Sequence, residues 1–276
     1  MSNRLRVISY NIRYNNPKDG SNAWPYRKAR VAALLHHYAP DLIGLQEVLK
    51  TQLDDLAACL SAFAWVGVGR DDGQTAGEYA PIFYRRDSFD LVGTGNFWLS
   101  ETPHEPGTLG WDADCVRLAT WARLRHKASD KTLLMLNTHF DHRGERAQVE
   151  SALLLRRFLN DPAQRIPALV TGDFNSTAQS WSYEILTVPS EAAGFPLLDT
   201  MLYTQMPHQG PRATWANHFS DPLDGKIDFI FIWHIPVATE DVLPSLQVRR
   251  HAILADQSEG HYPSDHLPVM AEIEIG

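Results

Sequence analysis

The sequence predicts an α+β fold, a four-layer α/β sandwich in which two mixed β-sheets pack face to face and are flanked by helices. Near the N-terminus, short buried strands alternate with amphipathic helices, whereas the middle of the chain holds consecutive strand-like runs separated by turn signals. A barrel or a doubly wound sheet needs strict alternation of strands and helices, which this order does not provide. Two packed sheets with helices outside fit it better.

The first part of the chain carries two strands and two helices. Strands are expected over residues 6–12 and 41–46, where the sequence is mainly apolar. Between them, residues 26–38 have apolar side chains at helical spacing, and Pro40 ends this helix. A second helix follows, and its apolar stripe predicts that Cys59 is buried in the core. The stripes comprise Val31, Leu34, Leu35 and Tyr38 in the first helix and Leu53, Leu56, Ala57 and Leu60 in the second.

The middle and C-terminal parts of the chain are richer in strands. The middle strand-like runs cover residues 81–85, 91–99, 120–124 and 133–140. Their turn-like connections predict antiparallel pairing. A helix over residues 145–159 follows, and the later strands are expected over residues 168–174, 226–233 and 268–275. A sandwich of this kind brings strand ends together at one edge, where loops build a site on a rigid frame.

Composition and charge limit the classes of protein that need to be considered. A chain of 276 residues with 44% apolar residues can bury a large core, and no linker divides it, so we expect one domain over residues 1–276. The net charge of −8 and the scattered lysines and arginines argue against an enzyme dedicated to duplex DNA.

The cysteine content and the apolar runs indicate a compartment. Two cysteines, Cys59 and Cys115, are too few for a disulfide scaffold and fit a reducing environment. The N-terminus lacks the apolar core of a signal peptide, and no apolar run reaches the roughly 20 residues of a membrane span. We therefore expect a cytoplasmic protein without a membrane span, and nothing in the sequence indicates a protein partner.

Two polar clusters interrupt apolar runs near the C-terminal half of the chain. Asp173 and Asn175 stand where a buried strand ends, and residues two apart on a strand share a face, so we expect both side chains to point the same way. Asp265 and His266 stand together just before the last strand. A carboxylate, an amide and an imidazole can bind a metal ion, orient a water molecule and stabilise charge.

Other polar residues interrupt the remaining strands in the same way. Taken alone, an Asn or Asp at a strand end is more often a turn former, because its side chain bonds to nearby backbone. Asp228 is more informative, since a carboxylate between isoleucine and phenylalanine residues is expected to be buried and to need a partner, for which His266 is the candidate. The other interruptions are Asn11, Glu47 and His139.

Six segments in order resemble the motif set of the endonuclease/exonuclease/phosphatase superfamily, the deoxyribonuclease I-like proteins, and in particular its small bacterial-type members. Each motif is weak alone, whereas six in order along nearly the whole chain are specific. The resemblance implies the helix-flanked double-sheet sandwich and metal-dependent hydrolysis of a phosphoester. The segments are residues 9–12, 44–48, 137–140, 171–175, 226–229 and 264–268.

The resemblance implies a metal site built on carboxylates. Glu47 would be the principal ligand of Mg²⁺, a hard cation that prefers oxygen ligands, with Mn²⁺ as a substitute. Asn11 and Asp265 would complete or support that site.

The resemblance also implies catalytic roles. Asp173 would accept a proton from the attacking water or orient it, and Asn175 would hold the water or a phosphoryl oxygen. His266, oriented by Asp228, would stabilise charge on the phosphoryl group or the leaving group, and the family role of His139 is contact with the scissile phosphate. Weaker candidates for substrate binding are Glu78, as an acidic partner of His139, and Arg70 and Arg143, as phosphate ligands.

The substrate is predicted less sharply than the chemistry. The sequence favours a phosphodiesterase acting on a small, single-stranded, sugar or nucleotide phosphate. The alternatives are a phosphomonoesterase, which needs extra cationic side chains to hold a dianion, and a catalytically silent binding module on the same fold. A two-zinc site of the metallo-β-lactamase type around His139 and His142 is disfavoured, because that signature needs a histidine where Asn137 stands.

Overall fold

Two six-stranded β-sheets lie at the centre of the computed structural model, which describes residues 3–164, 166–190, 194–216, 219–220, 223–233 and 246–276. In chain order the strands are β1 (Arg4–Asn11), β2 (Leu42–Gln46), β3 (Phe63–Val66), β4 (Ile82–Arg85), β5 (Phe89–Trp98), β6 (Leu118–His126), β7 (Lys131–His139), β8 (Ala168–Asp173), β9 (Leu198–Asp199), β10 (Trp215–Ala216), β11 (Leu223–Asp224), β12 (Asp228–Trp233), β13 (Leu246–Ile253) and β14 (Val269–Ile275). The α-helices are α1 (Trp24–Tyr38), α2 (Lys50–Cys59), α3 (Glu145–Asn160) and α4 (Trp181–Thr187).

Both sheets are mixed, as predicted. The strand order is β13-β14-β1-β2-β4-β3 in the first sheet and β5-β6-β7-β8-β12-β9 in the second. Parallel pairs form between β1 and β2 and between β7 and β8, where α1 and α3 provide the crossovers that parallel strands need. The other neighbours pair antiparallel, including the β5-β6-β7 run in the middle of the chain. Strands β10 and β11 form a separate short ribbon.

Alternation along the strands produces four layers. Val7 of β1 and Met135 of β7 belong to the core between the sheets. Ile8 of β1 points the other way and packs with α1 and α2, whereas Leu134 of β7 packs with α3 and α4. The predicted sandwich, with helices on both outer faces, is therefore confirmed.

Toward one edge of the sandwich, the residues between the sheets change from apolar to polar. Gln46 of β2 donates to Asn137 Oδ1 at 2.7 Å, and Thr171 donates to the same oxygen at 2.9 Å. This buried polar layer links the two sheets and supports the strand ends beyond it. Along each strand the inward-facing residues go from apolar to polar: Leu133, Met135, Asn137 and His139 in β7, and Leu169, Thr171 and Asp173 in β8.

Gly44 of β2 lets the sheets approach closely at this polar layer. A Cβ atom at Gly44 would lie 2.1 Å from Thr171 Oγ1 and 2.5 Å from Asn137 Oδ1. Any side chain here would therefore displace Thr171 and Asn137 and break the hydrogen bonds that link the two sheets next to the site.

Some elements were not foreseen, and one burial prediction is wrong. Strands β3 and β13 and helix α4 were not predicted. Strand β13 carries adjacent arginines and a bulge between Val248 and Arg250, as edge strands do. Cys59 was expected in the core but is exposed, because it lies at the end of α2 and outside the stripe formed by buried Leu53, Leu56 and Leu60. None of the helices in the described ranges is long and apolar enough to cross a membrane.

Candidate active site

The ends of three neighbouring strands of the second sheet form one row of ionisable side chains. His139 pairs with Asp173 across the parallel β7–β8 ladder, and Asp173 pairs with Asp228 across the antiparallel β8–β12 ladder. All three side chains are buried. Strand register alone therefore brings together residues that lie far apart in the sequence.

His266 joins this row from the loop before β14. The loop is anchored by Ser264, whose hydroxyl donates to the carbonyl of Asn11 at 2.8 Å. His266 Nδ1 lies 2.9 Å from Asp228 Oδ2, and Nε2 lies 3.8 Å from Asp173 Oδ2. Burial lowers the pKa of His266, but the Asp228 and Asp173 carboxylates outweigh burial and raise this pKa well above its usual value. His266 is thus a buried cation between two carboxylates, and the predicted Asp228–His266 contact is present.

Asp173 lies at the centre of the site. Burial and the Asp228 carboxylate raise the pKa of Asp173 to about 7. Its Oδ2 accepts from the Asn11 amide at 2.9 Å, and its Oδ1 accepts from the backbone N–H of Asn175 at 2.9 Å. These contacts fix both carboxylate oxygens.

Asn175 reaches the site by a different route from the one that alternation predicts. Strand β8 ends at Asp173, and Asn175 has a φ of 48°, in the left-handed region. This turn brings the Asn175 amide nitrogen within 3.0 Å of His139 Nε2 and within 3.0 Å of the Phe140 carbonyl, to which it donates. Asp173 and Asn175 converge, but through a turn and not along one face of a strand.

Glu47 follows β2 on the facing sheet and points at the same site. Its Oε1 accepts from the Asn11 amide at 3.0 Å, so that amide bridges Glu47 and Asp173. Its Oε2 accepts from the backbone N–H of Tyr14 at 3.1 Å. Burial favours a higher pKa for Glu47, but charged His266 and these hydrogen bonds outweigh it and hold the pKa below its ordinary value.

Arg13 is an unpredicted member of the site. Its guanidinium lies 3.9 Å from Glu47 Oε2 and 3.7 Å from Asp265 Oδ2, and it also pairs with Asp19. Burial raises the pKa of Asp265, and the nearby Glu47 carboxylate raises it further. Arg13 therefore partly offsets the repulsion between these two acidic residues.

His139 is held from the other side by a second unpredicted arginine. Arg117 Nη1 lies 2.8 Å from His139 Nδ1 and 3.6 Å from Glu78 Oε2, so the arginine stands between the expected acidic partner and the imidazole. Arg70 donates to the same Glu78 oxygen at 2.6 Å. Glu78 Oε2 itself is 4.0 Å from His139 Nδ1.

Two donors face the ring nitrogens of His139. Arg117 can only donate to Nδ1, while Nε2 lies 3.0 Å from the Asn175 amide nitrogen and 3.4 Å from Asp173 Oδ2. Burial and the Arg117 and Arg70 charges lower the pKa of His139 well below its usual value. His139 is therefore a neutral imidazole whose Nε2 faces Asp173.

The donor set fits a divalent metal ion. One ligand atom from each of Glu47, His139 and Asp173 lies within 4.8 Å of the others. Asp228 Oδ1 is buried and has no hydrogen-bond partner among the described residues. Most of the available donors are carboxylate oxygens, and the carboxylates outnumber the nearby cations, which favours a hard cation.

The remaining candidates occupy different places. Arg70 and Glu78 line a small pocket together with Arg117 and His139. The Arg143 side chain is 72% exposed and lies 3.6 Å from Asp114, outside this group of contacts. Arg117 and Arg13 were not predicted as site residues, because neither lies in a distinctive motif. For Arg13, the available signal was its position two residues after Asn11.

A helix-flanked double-sheet sandwich with this acidic and imidazole cluster at one edge defines a phosphoester hydrolase. The chain belongs to the Endonuclease/Exonuclease/phosphatase family, whose family model matches residues 8–266. The resemblance carried by the six sequence motifs is therefore confirmed.

Solved structures and sequence relatives agree with this family. An endonuclease/exonuclease/phosphatase from Bacteroides vulgatus is 41% identical, with a TM-score of 0.88 and 99% of each chain covered. The mannosyl-6-phosphatase Bt3783 of Bacteroides thetaiotaomicron is 33% identical, with a TM-score of 0.85 over 98% of this chain and 99% of that one. The CCR4-Not complex 3'-5'-exoribonuclease subunit Ccr4 of Mycosarcoma maydis is 23% identical over 98% of this chain, which spans 50% of that relative's length.

Proposed function

We propose that the protein is a Mg²⁺-dependent hydrolase of a small phosphate ester, a sugar phosphate or a nucleotide. The observation that carries this proposal is the row formed by Asp228, His266 and Asp173, which places an acceptor for a water proton beside a buried imidazolium. Hydrolysis of a phosphoester needs an activated water, neutralisation of phosphoryl charge and help for the departing alkoxide.

Asp173 is the proposed acceptor of the proton from the attacking water. The pKa of about 7 lies close to neutral pH, and a group that accepts a proton in catalysis is most effective when its pKa is near the working pH. Asn11 and the Asn175 backbone fix its orientation, while the Asn175 side chain is placed to hold the water or a phosphoryl oxygen. His266 donates to the phosphoryl or leaving-group oxygen, and Asp228 positions it.

The proposed residues for the metal are Glu47 and Asp265, with Asn11 orienting the Glu47 carboxylate. When bound, Mg²⁺ neutralises charge on the phosphoryl oxygens and on the leaving group. Mn²⁺ accepts similar oxygen ligands, so we expect it to substitute.

Two observations favour a phosphomonoester over the diester that the sequence favours. Arg70 and Arg117 both line the pocket beside His139; their guanidinium groups, which pair with Glu78 and, for Arg70, also with Asp71, offer charged donors suited to a dianionic phosphate. A relative 33% identical to this chain is a mannosyl-6-phosphatase. The preference for a diester stays a prediction that the following assay decides.

The test is hydrolysis of bis-p-nitrophenyl phosphate, p-nitrophenyl phosphate and mannose 6-phosphate, each with Mg²⁺, with Mn²⁺ and with chelator. We expect metal-dependent release, fastest from a monoester, that Glu47→Gln and Asp173→Asn each reduce by at least about 100-fold. Glu184→Gln is the matched control, because Glu184 is an exposed residue of α4.

Each other result has a definite meaning. Faster release from the diester would support the phosphodiesterase. Equal rates with metal and with chelator would refute the metal dependence. No release from any ester, together with no binding of Mg²⁺, would leave the silent binding module as the better description.

We also propose that residues 1–276 act as one catalytic domain in the cytoplasm. The exposed thiol of Cys59 and the partly exposed thiol of Cys115 are both free, which fits a reducing compartment. Fractionation of the source cells with a tagged chain tests the location.

A further inference from the structure

A second group of possible metal ligands lies outside the catalytic row. Asp114, Cys115 and His142 each offer one donor atom, and these three atoms lie within 4.8 Å of one another. His142 Nε2 is 3.6 Å from Asp114 Oδ2, and Cys115 Sγ is 4.0 Å from the same oxygen. Both contacts converge on one carboxylate oxygen, while Arg143 lies 3.6 Å from the other oxygen, Oδ1.

The backbone that carries these side chains is fixed by buried Asp141. Asp141 Oδ2 accepts from the N–H groups of Asp114 and Cys115, each at 3.0 Å. Asp141 Oδ1 accepts from the N–H groups of Arg143 and Gly144, at 2.9 and 2.8 Å. One carboxylate thus joins the segment before β6 to the segment after β7 and holds in place the backbone that carries the three donors.

Asp112 ties the segment before β6 to helix α3. Asp112 Oδ1 accepts from the backbone N–H of Ala147 at 2.7 Å, in the first turn of α3. A Cβ atom at Gly144 would lie 2.6 Å from Asp112 Oδ1, so the close approach depends on glycine. The two segments therefore form a rigid support, on which only the side chains of the three donors need to adjust.

The donor set determines which ion would bind. In a tetrahedral Zn²⁺ site, bonds of about 2.3 Å to sulfur and about 2.0 Å to nitrogen or oxygen place neighbouring ligand atoms about 3.3–3.6 Å apart. The distances here, at most 4.8 Å, need a contraction of up to about 1.5 Å, which these partly exposed side chains can make by rotation. Thiolate and imidazole are poor ligands for Mg²⁺ and good ones for Zn²⁺.

We propose that Asp114, Cys115 and His142 form a Zn²⁺ site that is separate from the catalytic residues. The carboxylate and the thiolate together neutralise the ion, and His142 binds as the neutral imidazole. Three protein ligands leave a fourth position for water or a substrate oxygen. The site would brace the loop that follows His139, the last residue of β7, without taking a ligand from the catalytic row.

The test uses Co²⁺ as a spectroscopic substitute for Zn²⁺ in the full chain under reducing conditions. Thiolate bound to Co²⁺ gives a charge-transfer band in the near ultraviolet that oxygen ligands do not give. We expect one equivalent of Co²⁺ to produce this band and one equivalent of Zn²⁺ to abolish it. Glu47→Gln should retain the band, which separates this site from the proposed Mg²⁺ site.

The variants decide the ligand set. Cys115→Ser should abolish the band and Cys59→Ser should keep it, since Cys59 lies at the end of α2. His142→Ala should weaken Zn²⁺ binding at least tenfold in competition with a chromophoric chelator. Circular dichroism and thermal melting without metal confirm that each variant folds. Absence of the band in the wild type, its persistence in Cys115→Ser, its loss in Cys59→Ser, or unchanged affinity in His142→Ala would each overturn the proposal.

Discussion

The Asp228–His266 pair shows how one neighbour determines the chemistry of a single residue. His266 Nδ1 contacts Asp228 Oδ2 at 2.9 Å, and this carboxylate is fully buried. Burial alone would leave His266 neutral, so its charge at neutral pH depends on Asp228 and, at 3.8 Å, on Asp173. The pair acts as a unit in which Asp228 positions and charges the imidazole.

Asp228→Asn should therefore change both the rate and its pH dependence. The variant keeps the shape but removes the largest factor raising the pKa of His266, so this pKa falls and the charged form requires lower pH. We expect kcat to drop by about 100-fold or more at pH 8, and by less at pH 6, where the imidazole regains its proton. The measurement is kcat from pH 5 to 9, with Asp130→Asn on an exposed turn as the control. A variant profile parallel to that of the wild type would contradict this role.

Arg117→Met should separate binding of a dianion from general catalysis. The change removes the donor to His139 Nδ1 and one positive charge beside Glu78. We expect kcat/KM for a phosphomonoester to fall about tenfold or more, and kcat/KM for a diester to fall less, because the diester carries one charge fewer. The control is Arg125→Met, an exposed arginine of β6. Equal losses for both esters would refute a role in charge recognition.

Sequence reasoning succeeded for residues whose surroundings were already unusual in the sequence. Asp228 stood out because it interrupts a strongly apolar strand, and its need for a partner followed from the cost of burying a charge. Arg117 gave no such signal, since an arginine before a strand is ordinary and only the fold brings it to His139. The same holds for the turn at Asn175, which depends on one left-handed residue.

Among the secondary-structure elements, the strands with two buried faces were the easiest to predict. Strand β8 is buried throughout, and its apolar run stands out in the sequence. Strand β13 was missed because an edge strand alternates buried and exposed positions and carries charged residues. The short helix α4 has too few turns for a helical period to emerge.

Strand β13 contains a buried histidine that links it to the loop after β9. His208 Nε2 donates to the Pro211 carbonyl at 2.7 Å, so His208 Nδ1 is left to accept from His251 Nδ1 at 2.9 Å. His251 Nε2 then carries no proton, and it has no hydrogen-bond partner within the described ranges. Burial, together with the Lys226 charge and His208, lowers the pKa of His251 to about 3.

This pKa predicts how stability depends on pH. Above the ordinary histidine pKa of about 6.5, His251 is neutral in both the folded and the unfolded state and contributes no slope. Between about pH 6.5 and pH 3 the unfolded chain binds a proton that the folded protein does not. The free energy of unfolding therefore decreases as the pH is lowered, by up to about 1.4 kcal/mol for each pH unit. Urea unfolding at pH 7, 6 and 5 measures this slope.

His251→Gln should make that slope shallower, whatever its effect on stability at pH 7. The replacement cannot take up a proton in either state, so its share of the pH dependence disappears. His36→Gln, on an exposed position of α1, should leave the slope as it is in the wild type. An identical slope in His251→Gln and in the wild type would show that His251 does not contribute.

For the molecule as a whole, composition predicted the class of partner less well than it predicted the size of the core. The net charge of −8 argues against a polyanionic duplex, yet Arg13, Arg70 and Arg117 gather at one edge of the sandwich. A total charge cannot reveal such a local cluster of arginines, because strand register and loop geometry decide which charges meet. The fold class was predictable because it follows from the order of elements.

The shared core predicts that both sheets unfold together. The cluster between the sheets contains Val7 from the first sheet and Ile230 from the second, so neither sheet can bury its inner face without the other. We expect one transition, with coincident fluorescence and circular dichroism curves and equal calorimetric and van't Hoff enthalpies. Ile230→Ala should destabilise the protein by about 2–5 kcal/mol, and Val7→Ala should also lower its stability, without splitting the transition. Two resolved transitions, or one sheet melting first in either variant, would show that the sheets are separate folding units and would contradict a single domain over residues 1–276.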